Sequence, residues 1–312
     1  MSGLPSLPAG KIYRGQSCPA DPSGGDTPVK KYALLALSGL LALSLASCGG
    51  GAEGTDSSVS VLSSDALASE ENTSQAGVDV TDSVDGFALY QTAVAGLAEQ
   101  VENGSFRCGY SVENDSGAYT IATTGVMAVS HADGFRFSNQ TATETGLSSL
   151  ASDWYCDGAH VYTAVDGVTR KQALNADAEE RLGRLIRSYS YGLIDPADAA
   201  AESQSVSQTE EGYTVQLTLD DETLTSISEN FSDVFGTPYQ TVSMDITAEI
   251  TEDSQLSGVT ATAEVAGSAD GQVMSFTMTI RLTFSDLGTD LDITPADTIS
   301  LTDAQTVDSL WS

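Results

Sequence analysis

A thiol and an imidazole four residues apart, Cys156 and His160, form the one local pairing in this chain with the spacing of a nucleophile and its base, or of two metal ligands. The residues between them argue otherwise, because Asp157-Gly158 flanked by apolar and aromatic residues reads as a hairpin turn. Other chemistry is sparse. His131 is the only further histidine, and no Gly-x-Ser-x-Gly elbow positions a serine. Neither His-Glu-x-x-His nor a paired Cys-x-x-Cys is present for zinc. With 44 Asp and Glu in 312 residues, any carboxylate couple picked as acid and base is a chance choice without geometry. The expectation is a protein that is not an enzyme, with no catalytic residue, no metal site and no cofactor.

The cysteine in the most telling setting is Cys48. Lys30 and Lys31 precede sixteen apolar or small residues, Tyr32 to Ser47, and Gly49-Gly50-Gly51 come after the cysteine. A basic start, a short apolar run and small residues before a cut describe an export signal. The alternative is an uncleaved anchor, but spanning the hydrocarbon core takes about 20 apolar residues and this run is shorter. Leu45-Ala46-Ser47-Cys48 resembles the lipobox of bacterial lipoproteins, which implies a cysteine that is diacylated and becomes the new N-terminus. Two acyl chains suffice for stable anchoring where one gives reversible binding. The expected location is the outer face of a cell membrane, held by lipid on Cys48. Residues 1–28 are rich in Pro, Gly and Ser and too long for an ordinary leader, so translation is expected to start near Val29, which excludes Cys18.

Composition divides the chain beyond Cys48 into two parts. Gly49 to Val84 is dominated by Gly, Ser, Thr, Ala, Asp and Glu and has no aromatic residue, so burial cannot offset its ordering entropy. It reads as a flexible tether of on the order of 30–36 Å. Thus 1–47 is leader and signal, 48–84 is lipidated cysteine and tether, and 85–312 is one folded domain. Removing residues 1–47 takes away Lys11, Arg14, Lys30, Lys31, Asp21 and Asp26, leaving 8 bases against 42 acids, a net charge of −34. That surface repels phosphate backbones and anionic headgroups, which excludes nucleic-acid binding and polybasic docking. No Asp-x-[Asp/Asn]-x-[Asp/Asn]-Gly loop supports specific calcium binding. Five of the 8 bases lie between Arg170 and Arg187. Asp177→Arg181 and Glu180→Arg184 read as acid-first helix pairs, leaving Arg170, Lys171 and Arg187 without an obvious local partner. Cys108 and Cys156 remain as either an export-compatible disulfide or two small buried hydrophobes.

The elements that must position these residues begin with a helix, since Phe87, Tyr90, Val94, Leu97 and Val101 recur at spacings of 3, 4, 3 and 4, with Gly104 beyond its end. Strands are expected at Phe106–Glu113, Ala118–Ser130 and Phe135–Thr141, the second with a bulge at Gly125, and then as a hairpin about Asp157-Gly158. Asn175 starts a helix to about Tyr189, and Tyr213, Val215, Leu217 and Leu219 alternate as a strand. A short helix from Asp220-Asp221 carries Leu224, Ile227 and Phe231 and ends at Gly236 and Pro238. Three long strands close the domain, with Val242, Met244, Ile246, Ala248 and Ile250 on one face of the first and Met274 to Phe284 alternating in the last. The fold class expected is α+β, a curved antiparallel sheet packed against amphipathic helices, in which helix plus three strands occurs twice.

This order of lipobox, polar tether, helix and long alternating strands, over roughly Asp85 to Val307, resembles the lipoproteins built on the LolA/LppX-type half-barrel. The resemblance implies a sheet wrapped over helices around an apolar interior, with a lipid or other apolar ligand as partner. The pliable side chains Met244, Met274, Phe276, Met278 and Phe284 are the candidate lining, and they suit an ordinary core as well. The alternative role is a surface protein-interaction module with a packed core.

Overall fold

The structure is a computed structural model that describes residues 77–117, 120–132, 134–196, 201–219, 224–225, 227–229, 239–269 and 272–311, apart from the side chains of residues 239, 268–269 and 272–274. Cys48, Leu45, Ala46, Ser47 and the remainder of 1–76 lie outside the described residues, as do Phe231, Gly236 and Pro238.

The chain opens with β1 (Val78–Asp79), α1 (Gly86–Asn103), β2 (Ser105–Asp115), β3 (Thr120–Ser130) and β4 (Arg136–Thr145). It continues with β5 (Ser148–Cys156), β6 (His160–Val165), β7 (Val168–Ala173) and α2 (Ala176–Ser188). The remaining elements are β8 (Ala201–Gln208), β9 (Gly212–Leu219), β10 (Tyr239–Thr251), β11 (Leu256–Ala269), β12 (Gln272–Ser285) and β13 (Gln305–Thr306). Among the described residues thirteen strands join one open, curved sheet in the order β1-β8-β9-β10-β11-β12-β2-β3-β4-β5-β6-β7-β13. Every pairing is antiparallel except β7 with β13. The two expected three-strand meanders, β2-β3-β4 and β10-β11-β12, are therefore sewn together where β12 pairs β2 from Thr277↔Asp115 to Ser285↔Arg107.

α1 starts where the Asp85 carboxylate accepts the Ala88 N–H at 3.1 Å, leaving one fewer orphan donor in the first turn. Its stripe Tyr90, Ala93, Val94, Leu97 and Val101 is buried against the sheet. The Tyr90 hydroxyl donates to the Ile194 carbonyl at 2.6 Å, tying α1 to the loop after α2. In α2 the Asn175 side chain accepts from Ala178 N at 3.0 Å, and Leu182, Leu185 and Ile186 face the core. Helical backbone recurs at 224–225 and 227–229, where Leu224 and Ile227 are buried.

Several expectations change. Val242 is not an inward residue: Thr241 pairs Val265 and Ser243 pairs Glu264, so Val242 is the extra residue of a bulge and is 60% exposed. A one-residue slip reverses faces, and upstream of it Thr241 is the buried residue. Gly125 is not a bulge, because β2 and β3 pair without interruption through Tyr110↔Gly125. A Cβ there would lie 2.4 Å from the Tyr110 ring, so the glycine makes the slot in which that ring lies. The folded part also begins before Asp85: Val78 and Asp79 pair with β8, and Val80 and Val84 pack on the core. Two polar strands, β7 and β8, form without apolar alternation in their sequences.

Gly125→Ala should lower stability by about 1–3 kcal/mol through overpacking against Tyr110. Gly96→Ala, at an exposed α1 position with open space, should raise it by roughly 0.5–1 kcal/mol. Urea midpoints of the two variants check both signs.

Candidate functional site

Directly opposed residues in paired strands share a face, so register alone maps the inner surface. On β12 the inward residues Met278, Ile280 and Leu282 oppose Ala263, Ala261 and Val259 of β11. Met244, Ile246 and Ala248 of β10 extend the row, giving one continuous apolar wall under α1. Met244, Phe276, Met278 and Phe284 all fall in this wall or its margin and are buried. Met274 lies in β12, and its side chain is outside the described set.

Across the β12–β2 seam the inner face becomes mixed. On β2–β6 the apolar Phe106, Val112, Met127, Val129 and Phe137 are joined by Asn114, Thr123, Asn139, Thr141, Thr143, Ser152 and Thr163, all buried. Some are paired: Thr123 and Thr143 hydroxyls lie 3.1 Å apart, and the Tyr110 hydroxyl donates to Asn139 Oδ1 at 2.9 Å and lies 2.6 Å from Thr141 Oγ1. Two are not. Asn114 Oδ1 and Thr163 Oγ1 are buried without a hydrogen-bond partner, as are Thr241 Oγ1 on β10 of the apolar wall and Gln100 Oε1 on α1. Buried polar atoms are almost always satisfied, so these orphans are the exceptions of the interior.

The Tyr110 group also fixes α2. Its ring stacks on Tyr189, just past the helix end, at 4.3 Å between centroids and 18° between planes. The Cys108 thiol donates to the Tyr189 carbonyl at 3.3 Å. Burial pushes the Tyr110, Tyr90 and Tyr189 hydroxyls above the ordinary 10.0 and the Cys108 thiol above 9.0. For Tyr110 the neighbouring Tyr189 adds to this, while the bonds to Thr141 and Asn139 oppose it.

The remaining candidates separate. Cys108 and Cys156 are free, buried thiols. They lie on β2 and β5, three strand spacings or about 14 Å apart along the sheet, beyond disulfide reach. Burial raises the Cys156 thiol to about 11, opposed by the Gly158 N–H, so it is not a ready nucleophile. Cys156 faces inward opposite Val161, whereas His160, one residue earlier, faces out with its side chain 43% exposed. The residues between do form the turn: Asp157 Oδ1 accepts from Ala159 N and His160 N at 2.8 and 2.7 Å, and Gly158 has φ +87°. Burial raises the Asp157 carboxyl, but those two donors with the Tyr162 hydroxyl outweigh it and leave it lowered. Among the described residues no three His, Cys, Asp or Glu side chains gather as a metal site.

The basic cluster also disperses. Arg181 pairs Asp177 at 3.0 Å and Arg184 pairs Glu180 at 2.5 Å, as the i,i+4 spacing predicts. Arg170 faces in opposite Thr163, Lys171 faces out opposite Tyr162, and Arg187 is exposed. No common anion site forms from these bases.

A second apolar cluster, unread from sequence, lies on the outer face. There Leu291, Ile293, Ile299 and Ala304 pack on Ala128, Tyr155, Tyr162 and Ala164. The segment then rounds the β7 edge as β13, and Trp311 stacks on the inward Trp154 at 5.5 Å with Arg181 over its ring at 5.8 Å. The signals available were Leu291, Ile293, Ile299 and Trp311, scattered through a tail rich in Asp and Thr. No helix among the described residues is long and apolar enough to cross a membrane.

No family model and no curated protein matches this chain. Among solved structures it is similar to LprF from Mycobacterium bovis at 11% identity, covering 65% of this chain and 95% of that one with a TM-score of 0.31. A DUF1329 family protein from Desulfovibrio piger is 10% identical over 67% and 94%, with a TM-score of 0.24. A β-barrel-like protein of unknown function from Brucella abortus is 13% identical over 59% and 99%, with a TM-score of 0.18. At these values the likenesses are distant, and none carries an argument about this chain.

The buried phenols and thiol predict alkaline loss of stability. Their folded pKa values are raised, so the unfolded chain releases protons first and stability falls as pH rises past 9.0 for Cys108 and 10.0 for the tyrosines. Each contributes a slope of up to about 1.4 kcal/mol per pH unit. Urea midpoints between pH 8 and 11 should show it, more shallowly in Tyr110→Phe; a flat profile contradicts it.

Proposed function

We propose that this protein is a non-enzymatic, membrane-anchored extracytoplasmic lipoprotein whose half-barrel holds a lipid or other apolar ligand between its two inner walls. The observation that carries this reading is two orphaned atoms on the inner face that also bears a continuous apolar wall: Asn114 Oδ1, beside Met278 at the seam, and Thr163 Oγ1, four strands away on β6. A core evolved only to pack has no use for stranded polar groups, each costing about 1–3 kcal/mol when left unpaired. An amphiphile supplies both kinds of contact at once. The lining then includes Met244, Phe276, Met278 and Phe284, whose soft side chains adapt to chains of differing shape.

The lipid anchor is a separate part of the proposal and rests on Leu45-Ala46-Ser47-Cys48 and the apolar run before it. The competing reading, a protein-interaction module, draws support from the depth to which Met244 and Met278 are buried.

Two measurements test the two parts. Cys48→Ser should move the protein from the membrane to the soluble fraction, and unchanged fractionation contradicts lipidation. The same variant, purified without detergent, should show in a native mass spectrum extra mass that leaves on activation and matches a lipid. A clean mass that stays clean after incubation with an extracted lipid mixture favours the packed module.

A further inference from the structure

The segment after β12 is attached in two unlike ways. Over the outer face it is anchored by Leu291, Ile293 and Ile299. Thr169 reinforces that anchor, its hydroxyl accepting the Ser300 N–H at 3.1 Å and lying 3.4 Å from the Thr298 carbonyl. Thr298 also hydrogen-bonds Asp153. Past the β7 edge the backbone pairing is short, and Leu310 is the buried side chain of the end. Gln305 and Thr306 pair in parallel with Arg170 and Lys171, and Val307 N donates to the Lys171 carbonyl at 2.9 Å. Leu310 N donates to Gln172 Oε1 at 2.5 Å, and Trp311 lies half-buried between Trp154 and Arg181.

What this end covers is specific. Gln172 is on β7 and Trp154 on β5, so Leu310 and Trp311 cross the inner face of β6 between them. The inward β6 residues in that lane are Val161, register partner of Gln172, and Thr163, register partner of both Trp154 and Arg170, which is 3% exposed and has an unpartnered hydroxyl. An orphaned hydroxyl thus sits beneath a cover held by a short parallel pairing, one side-chain hydrogen bond, ring contacts and the buried Leu310 side chain. A chain end with only two ladder residues frays locally without loss of the main fold.

We propose that Leu310–Trp311 is a latch over the entry to the interior, lifting from Trp154 and Thr163 to admit a guest while the outer anchor at Leu291, Ile293 and Ile299 holds. This rests on the ligand reading above. Arg181, paired with Asp177 and placed over the Trp311 ring, is the residue that sets how readily the latch lifts. Opening requires no strand of the sheet to move apart from β13, which contributes only two ladder residues.

The test uses the full chain carrying Cys48→Ser and a fluorescent NBD-labelled fatty acid as probe, with uptake followed by stopped flow. Trp311→Ala should speed uptake by about tenfold, equivalent to ~1.4 kcal/mol off the opening barrier. Trp311→Phe, which keeps a stacking ring, should stay near the parent rate. Arg181→Gln leaves the core intact and should give an intermediate gain, which keeps the test valid if Trp311→Ala disturbs folding. Trp154 and Trp311 are the only tryptophans in the chain, so near-UV circular dichroism reports directly whether their stack is lost in each variant. Equal uptake rates in parent and variants, with the stack lost, overturn the latch alone. No probe uptake by any of the chains overturns both the latch and the ligand reading.

Discussion

The β12–β2 seam is the constraint on which the rest of this structure depends. Nine consecutive register pairs, from Thr277↔Asp115 to Ser285↔Arg107, join strands that are more than 150 residues apart in sequence, and they do so without a bulge. Because side chains alternate with period two, that unbroken pairing locks the face parity of one meander to that of the other. A slip of one residue would turn either Met278, Ile280 and Leu282 or Asn114, Val112 and Tyr110 to the outside. The seam is what sets an apolar wall and a hydroxyl wall on the same interior.

The distribution of charge arises from the same parity. Glu113, Asp115, Asp245, Glu249 and Glu264 all lie on outward positions of the central strands, where solvent screens them. Among the described residues no carboxylate, lysine, arginine or histidine is buried; the ionisable groups inside are phenols and thiols that burial keeps protonated. The strongly acidic chain therefore has a neutral buried interior, with Arg170 inward but partly exposed at the β7 edge. Burial of a net charge there would be expensive, so the buried part of any guest is uncharged. Tyr110 contributes on two levels, since the absence of a side chain at Gly125 lets its ring lie flat and reach β4 while its face supports Tyr189.

Much of the sheet was legible because its signal is local. The alternation in β10, β11 and β12, the stripe of α1, the Asn175 start of α2 and the Asp157-Gly158 turn each depend on residues within one element. What was hidden depends on partners far away. β8, Ala-Glu-Ser-Gln-Ser-Val-Ser-Gln, has one buried side chain, Val206, and is a strand only because β9 lies beside it. β7 reads as polar for the same reason, although Asp166-Gly167, both at positive φ, is a hairpin signal of the same kind as Asp157-Gly158. Val242 looked inward because a bulge leaves no mark in apolar spacing. The buried hydroxyls were hidden because nothing local assigns a face to Thr123, Thr141, Thr143 or Thr163, and only the register places them inside. The outer-face cluster was missed because Leu291, Ile293 and Ile299 obey no regular period.

The central claim, that both inner walls contact a guest, is tested most directly by methionine-methyl NMR. Met278 reports the apolar wall, Met244 its far side, and Met127, beside Asn139 on β4, the hydroxyl wall. On titration of the Cys48→Ser chain with a short-chain uncharged amphiphile, the account predicts saturable shifts of Met278, Met244 and Met127 with one common affinity. Resonances that stay fixed while the amphiphile binds elsewhere, or does not bind, would contradict it.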